Sequence, residues 1–441
     1  MSRKIFNKGS VLRAIFAISL PVVGAQLLQA AYQMTDAFWV GRLGAESVAA
    51  ISVSMPIMFI LIAFGIGFAA SGTTLVAQYF GAKNRKMVNH TSAQTLTSIV
   101  VVSLIVTIVG IAISPLILDF MSVTPNVYGS AVSYMQIAFL GVVFNFSFMM
   151  FQSLMRGIGQ VVMPMLIVAA TVLLNFVLDP LFIFTFNMGI TGAALATIGT
   201  QSLAAIVGFA ILFGGKFGIH LSLRDFSPDK KHIAKSFRLG LPISLAQVTN
   251  SLAMLIITGM VTVFGTIATA AVSAGMNVIN LFFMVGLGFS FGVQALVGQN
   301  IGARNIPRAR QIVKTGSAII FGFMCLLGVV VFAFSTQLVG IFVPNEPEVI
   351  EIGATFLKIV ALFFGFGGLQ MALLGVLRAA GKMMVVMLIS IISQFVVQIP
   401  LAWQLSARIG IDGIWWSFVA SFVVSLILTW GFYLQGGWAR K

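Results

Sequence analysis

The chain of 441 residues is 59% hydrophobic and 8% charged, with 25 Lys+Arg against 10 Asp+Glu and a formal net charge of +15. Soluble domains carry about 25% charged residues, so too little polar surface exists here to face water, and a cytosolic enzyme or a secreted domain is excluded. A single cysteine, Cys325, excludes a disulfide framework and a thiolate metal cluster.

Apolar runs of the roughly 20 residues needed to cross about 30 Å of hydrocarbon follow one another almost end to end. Twelve spans are predicted, at 13–39, 47–79, 92–115, 129–155, 161–185, 191–214, 237–263, 267–297, 313–340, 350–376, 383–405 and 412–435. The first follows a basic stretch (Arg3, Lys4, Lys8, Arg13). It is too long for the apolar region of a signal peptide and lacks a small-residue cleavage site before Asp36, so it reads as a span. Every Lys and Arg except Arg42, Arg408 and Lys358 falls at the termini or with the even-numbered loops. By the positive-inside rule both termini and the long central loop are expected in the cytoplasm, with the chain a multi-pass protein of a plasma (inner) membrane.

The sequence repeats at an offset of 221 residues. Gly65–Asn84 (GIGFAASGTTLVAQYFGAKN) matches Gly286–Asn305 (GLGFSFGVQALVGQNIGARN) at 9 of 20 positions. The same offset pairs Leu20-Pro21 with Leu241-Pro242, Gly44 with Gly265, and Gly189-Ile190 with Gly410-Ile411. Six spans per half is an even number, so both halves enter the membrane in the same sense, related by an axis along the membrane normal, an arrangement found in transporters. The expected organisation is an N-lobe (1–213), a polar cytoplasmic linker (214–236) and a C-lobe (237–441).

Two six-span repeats, a Q-x-x-G-A-[KR]-N turn at Gln78–Asn84 and again at Gln299–Asn305, Asp36 in span 1 and Asn175-x-x-x-Asp179-Pro180 in span 5 resemble the MATE family of multidrug and toxin exporters. The resemblance covers essentially the whole chain. It implies an all-α V-shaped fold of two six-helix lobes, transport rather than enzymatic activity, no cofactor, and H+ or Na+ as coupling ion.

Ionisable groups inside a bilayer are costly and are functional candidates by default. Eight of the ten acids fall in loops or at span ends, leaving Asp36 and Asp179 in apolar surroundings. They stand roughly 34 Å and 27 Å along their outward-climbing helices, at similar height in the outer half. Two carboxylates at one level can share a proton or a cation. Tyr32 and Gln33 precede Asp36 by one helical turn, Asn175 precedes Asp179 by one, and Thr197 in span 6 could add an oxygen to a Na+ shell formed with Asp36, Asn175 and Asp179. The resemblance assigns ion coupling to the positions of Asp36, Asn175, Asp179 and Thr197, and helix bending to that of Pro21. Mid-helix proline removes a backbone hydrogen bond, which allows a kink. Its repeat partner Pro242 leaves an architectural role equally open.

In the C-half, Ile257 stands opposite Asp36, and no carboxylate lies inside spans 7 to 12 beyond their ends. This resembles the DinF-like branch more than the NorM-like one and makes protons the first choice of coupling ion. Lys358, inside span 10, is expected to snorkel outward. Met254, Phe282, Phe283, Met284 and Phe289 are candidates for a repackable substrate cavity. Gly65-x-Gly67 and Gly286-x-Gly288 lack the strand context of a dinucleotide fingerprint and read as close helix packing. Asn89-His90-Thr91 falls on the cytoplasmic side and should not be glycosylated. His90, His220 and His232 show no ligand spacing, so no metal is expected beyond a possible Na+.

The expected function is ion-coupled export of amphipathic cationic compounds by alternating access. The rival reading, a flippase for a lipid-linked oligosaccharide, calls for several basic residues in its cavity to hold a pyrophosphate, and the spans supply one Lys. Small amphipathic molecules and the bilayer are the expected partners, nucleic acid is not, and a monomer is expected.

Overall fold

A computed structural model describes residues 10–439; Arg3, Lys4 and Lys8 of the basic start lie outside them. The described residues are mostly helical, with no strand among them. In chain order the helices are α1 (Val11–Gly41), α2 (Ala45–Gly81), α3 (Arg85–Phe120), α4 (Pro125–Gly157), α5 (Val162–Pro180), α6 (Gly189–Gly214), α7 (Lys230–Thr262) and α8 (Thr266–Gly302). They continue as α9 (Ile306–Ala333), α10 (Ser335–Phe342), α11 (Pro347–Ala361), α12 (Phe364–Ala379), α13 (Met383–Ile391), α14 (Ile399–Ile409) and α15 (Ile411–Leu434). π-helical turns at Leu181–Thr185 and Ile392–Gln398 extend α5 and join α13 to α14. Among the described residues eleven helices are long and apolar enough to cross a membrane, and a twelfth span is the pair α11 and α12, bent by 54°. A helix satisfies its own backbone hydrogen bonds, which is what a segment in hydrocarbon requires.

The two Q-x-x-G-A-[KR]-N segments are the same turn. Asn84 N–H bonds the Tyr79 carbonyl and Lys83 N–H that of Phe80; Asn305 and Arg304 do the same with Asn300 and Ile301. This double bond closes each helix on a left-handed residue, Lys83 at φ 59° and Arg304 at φ 56°. Asn84 and Asn305 then cap the next helix, their side chains accepting from Met87 N–H and Arg308 N–H. The caps explain why α3 and α9 begin before the apolar runs that predict them. Gly44 and Gly265 open α2 and α8 at φ 100° and 99°, a conformation that only glycine adopts without strain.

Two expected spans are interrupted. Span 9 ends at Ala333, and after Phe334 a short separate helix follows, where the Ser335 hydroxyl turns back to the Phe332 carbonyl. Span 10 breaks at Leu362 and Phe363. Lys358 is therefore not deep within one long helix; it is exposed in the last turn of α11, where a cation complements the free carbonyls.

The chain packs as two compact units. One joins the residues up to Val23 to those from Leu245 onward, and the other is Gly24–Ser244. The cuts fall inside α1 and α7, 221 residues apart, rather than in the loop 214–236. Each unit thus contains the start of one repeat's lead helix and the body of the other repeat. Glycines make this possible. A Cβ on Gly67 of α2 would meet the Ser244 backbone of α7 at 2.3 Å, and one on Gly288 of α8 would meet the Val23 backbone of α1 at 2.8 Å. The symmetry is complete, since 67 pairs with 288 and 23 with 244 at the repeat offset. Within the units, α4 packs against α2, α3 and α6, and α12 against α8, α9 and α15. α4 and α12 end in buried arginines, Arg156 and Arg378, and the Arg378 guanidinium donates to Ser290 Oγ at 2.7 Å.

Gly67→Ala and Gly288→Ala are expected to destabilise the protein by about 1–3 kcal/mol each through overpacking. Gly259→Ala, where nothing stands within 4 Å, should not destabilise it. Thermal unfolding in detergent measures the difference.

Candidate functional site

Three helices of the Gly24–Ser244 unit converge on the acids singled out above. α1 supplies Tyr32 and Asp36, α5 supplies Asn175 and Asp179, and α6 supplies Thr197 and Thr200. Asn175 and Asp179 are fully buried, while Asp36 and Thr197 are half-buried. Asn175 Nδ2 donates to Asp179 Oδ1 at 2.8 Å along one turn of α5, and Thr197 Oγ1 donates to Asp36 Oδ1 at 3.4 Å. The Asp36 and Asp179 carboxyl groups are near enough to act on each other electrostatically. Two ionised carboxylates only accept hydrogen bonds and repel one another, which a proton or a cation between them would relieve.

Two acceptors support the same conclusion. Asp179 Oδ2 and Asn175 Oδ1 are buried without a hydrogen-bond partner among the described residues. An unpaired buried acceptor is costly, and a proton shared with Asp36 or a bound cation would satisfy it. Asp179 precedes Pro180 and the π-helical turn, two departures from regular α-helix of the kind that mark functional positions.

Tyr32 lies one step away. Thr200 Oγ1 donates to the Thr197 carbonyl at 2.9 Å, which leaves Tyr32 Oη–H as donor to Thr200 Oγ1 at 2.7 Å. Tyr32 thus fixes α1 to α6 beside the acids. Gln33 is exposed and takes no part in these bonds. Pro21 lies within the continuous helix α1, two residues before the crossing between units, and Pro242 holds the same place in α7.

The surroundings are asymmetric. On one flank the Trp39 ring meets Phe176 at 5.8 Å and Phe184 at 6.2 Å, over buried Val40, Ile183 and Ala193. Thr197 also borders a cavity of about 170 Å³ lined in part by Tyr134, Asn145, Phe146 and Gln201. That volume suits water or a small ion and is well below the about 300–1,000 Å³ of a drug-sized pocket.

The Leu245-onward unit has no such acid pair. At the repeat offset of 221 residues, Asp179-Pro180 falls on Pro400-Leu401. In place of carboxylates a chain of neutral amides joins α7 to the π-helical turn before α14: Asn250 Nδ2 donates to Gln247 Oε1 at 3.2 Å, and Gln394 Nε2 to Asn250 Oδ1 at 2.6 Å. Sequence reasoning missed these amides because it looked for charges. Of the substrate-cavity candidates, Phe289 is buried at 3% exposure with its ring against Phe16 and Phe323. Phe283 stacks on Phe422 at 5.8 Å and Phe282 meets Phe364 at 6.2 Å, while Met254 and Met284 are half-buried. A groove of about 620 Å³ in this unit is bordered by Arg310 and Lys314, a mouth that disfavours cations.

Histidines without ligand spacing in the sequence also come together. His90 Nε2 and His232 Nδ1 lie 3.1 Å and 2.7 Å from the same oxygen, Asp229 Oδ2. The His232 ring, and then that of His90, hold the Asp229 carboxyl well below the usual carboxylate range. The third histidine, His220, is tied elsewhere, its N–H donating to Asn89 Oδ1.

A duplicated bundle of this kind, mostly helical in its described residues and apolar enough for twelve spans, defines an integral membrane transporter. The MatE family model matches residues 21–181 and 242–404, one segment per repeat. The chain belongs to the MatE family, whose proteins are transporters and not enzymes. It is 29% identical to the "Probable multidrug resistance protein YpnP" of Bacillus subtilis over 98% of this chain and 97% of that one. It is 26% identical to the "Multidrug export protein MepA" of Staphylococcus saprophyticus, covering 93% and 91%. Among solved structures, a multidrug resistance MATE family transporter in an outward-facing conformation superposes with a TM-score of 0.93 at 22% identity over the whole of both chains. The MATE transporter VcmN of Vibrio cholerae does so at 0.89 and 24%, covering 96% and 95%. The fold is shared.

Tyr32→Phe and Thr200→Val are expected to couple in a double-mutant cycle by about 0.6 kcal/mol and at most about 1.7, the range for hydrogen bonds between membrane helices. Unfolding of the four chains in mixed micelles measures it.

Proposed function

We propose that the protein is an ion-coupled antiporter that exports small amphipathic, cationic compounds, with protons as the coupling ion and Na+ as the second reading. The observation that carries this is the pair of buried acceptors without a partner, Asp179 Oδ2 and Asn175 Oδ1, in a cluster with the Thr197-bonded Asp36. A shared proton satisfies the pair directly. Na+ is the alternative because Asp36, Asp179, Asn175 and Thr197 together offer an oxygen shell, and both readings use the same residues. Export of drugs is supported by the relatives, described as a multidrug resistance protein and a multidrug export protein. They give no support to a lipid flippase.

In the proposed cycle a proton reaches Asp36 and Asp179 through the cavity at Thr197 and Tyr134, removes their repulsion and allows α1 to repack, and the compound leaves outward. Return to the inward state releases the proton. One charge moving down 100 mV supplies about 2.3 kcal/mol against about 1.4 kcal/mol for a tenfold solute gradient, so one proton drives useful export of a neutral solute. An electroneutral exchange against a monovalent cation draws on the pH or Na+ gradient instead. The lack of a C-half acid favours the DinF-like branch, and the distribution of Lys and Arg favours cytoplasmic termini in an inner membrane. The protein works as a monomer in this reading, since each chain holds its own carboxylate pair.

Proteoliposomes given a pH gradient or a Na+ gradient, one at a time, test the reading with a fluorescent cationic dye. Wild type should move the dye under the pH gradient alone, and Asp36→Asn and Asp179→Asn should abolish gradient-driven movement. Dye movement only under the Na+ gradient would reassign the ion. Equal movement by all three chains would overturn the coupling role, and none by wild type under either gradient would overturn the transport reading.

A further inference from the structure

The geometry points to a Zn2+-class divalent metal site formed by His90, Asp229 and His232, a staple outside the membrane spans that fastens the loop after α6 and the start of α7 to α3. One ligand atom from each of the three residues can be chosen so that all lie within 4.8 Å of one another. Tetrahedral Zn2+ with bonds of about 2.0–2.1 Å places its ligands roughly 3.3 Å apart. The two nitrogen-to-oxygen distances, 3.1 Å and 2.7 Å, already bracket that spacing. Two imidazoles and one carboxylate, with a fourth position for water, make a donor set suited to Zn2+ and its first-row neighbours.

The ligands are held by their surroundings. Asp229 Oδ1 accepts from the N–H groups of Lys231 and His232 at the start of α7, which turns Oδ2 toward the rings. Gln94, one turn after His90 on α3, is fully buried and clamps the loop: its Nε2 donates to the Asp225 and Ser227 carbonyls, and its Oε1 accepts from Asp229 N–H. Second-shell bonds of this kind orient metal ligands. The side chains of His90, Asp229 and His232 are 22%, 33% and 19% exposed, walled in yet open to entry from solution. On binding, each imidazole carries its proton on the outer nitrogen and presents the inner lone pair. The metal then takes the place of the two hydrogen bonds to Asp229 Oδ2, with no other change in composition.

The test uses the full-length chain in detergent, free of any affinity histidines, stripped with chelator and titrated with Zn2+ against a chromophoric competitor. Wild type should bind one Zn2+ per chain. His90→Gln and His232→Gln should each weaken binding by at least about tenfold, while His220→Gln leaves it unchanged. X-ray absorption of the Zn2+-loaded wild type should show imidazole nitrogens at about 2.0–2.1 Å. It needs no variant to fold. Less than one Zn2+ per chain, binding unaffected by His90→Gln and His232→Gln, or a spectrum without imidazole would overturn the site, leaving a hydrogen-bonded clasp only. Dye transport does not enter, so failure here leaves the coupling reading untouched.

Discussion

Backbone-to-backbone approach at two glycines holds the architecture together. At Gly67 against Ser244 and Gly288 against Val23 there is no room even for a methyl group. Between helices in lipid there is no hydrophobic drive to associate, so close van der Waals packing through small residues has to supply the attachment. These contacts bind the first part of α7 to the N-terminal repeat and the first part of α1 to the C-terminal repeat. The compact units are therefore exchanged versions of the sequence repeats. Neither half of the gene product, cut at the central loop, contains a complete unit.

Duplication supplied two copies of a scaffold, and only one carries the buried acid pair. The turn after α2 and the turn after α8 have kept their hydrogen bonds and the sign of φ at Lys83 and Arg304. The site has not been kept. At the repeat offset Asp179-Pro180 corresponds to Pro400-Leu401, and polar contacts of this copy run through Gln247, Asn250 and Gln394. Neutral amides hydrogen-bond in pairs without requiring a proton or an ion, whereas two neighbouring carboxylates repel unless one is supplied. The scaffold is symmetric, while the buried acid pair is confined to one copy.

What could be read in the sequence followed from local rules. Apolar length located the spans, the repeated motif gave both turns, and the cost of charge in lipid singled out Asp36 and Asp179. Properties that depend on the third dimension could not be read. The break at Leu362 and Phe363 lies in an apolar run that hydropathy treats as continuous. The burial of Phe289 could not be read because a buried ring and a lining ring have the same composition. His90 and His232 are far apart in sequence, and only the loop clamped by Gln94 brings them to one carboxylate oxygen. The unit boundary inside α1 left no trace beyond the glycines, whose close-packing reading was made without their partners.

These features give α1 a particular mechanical standing. One continuous helix bears Asp36 in one unit and, thirteen residues earlier, Val23 in the other. At about 1.5 Å per residue that is roughly 20 Å of unbroken helix, and Pro21, which removes the hydrogen bond to the Ala17 carbonyl, lies just before it. In the proposed cycle, a change at Asp36 that alters its bond with Thr197 acts on the same helix that carries Val23, packed against Gly288. The other chain crossing within a helix, in α7, has Pro242 at the matching place but Ile257 where an acid would be. Of the two helices that run through both units, α1 alone bears a carboxylate of the proposed coupling site, so in the proposed cycle the rearrangement begins there.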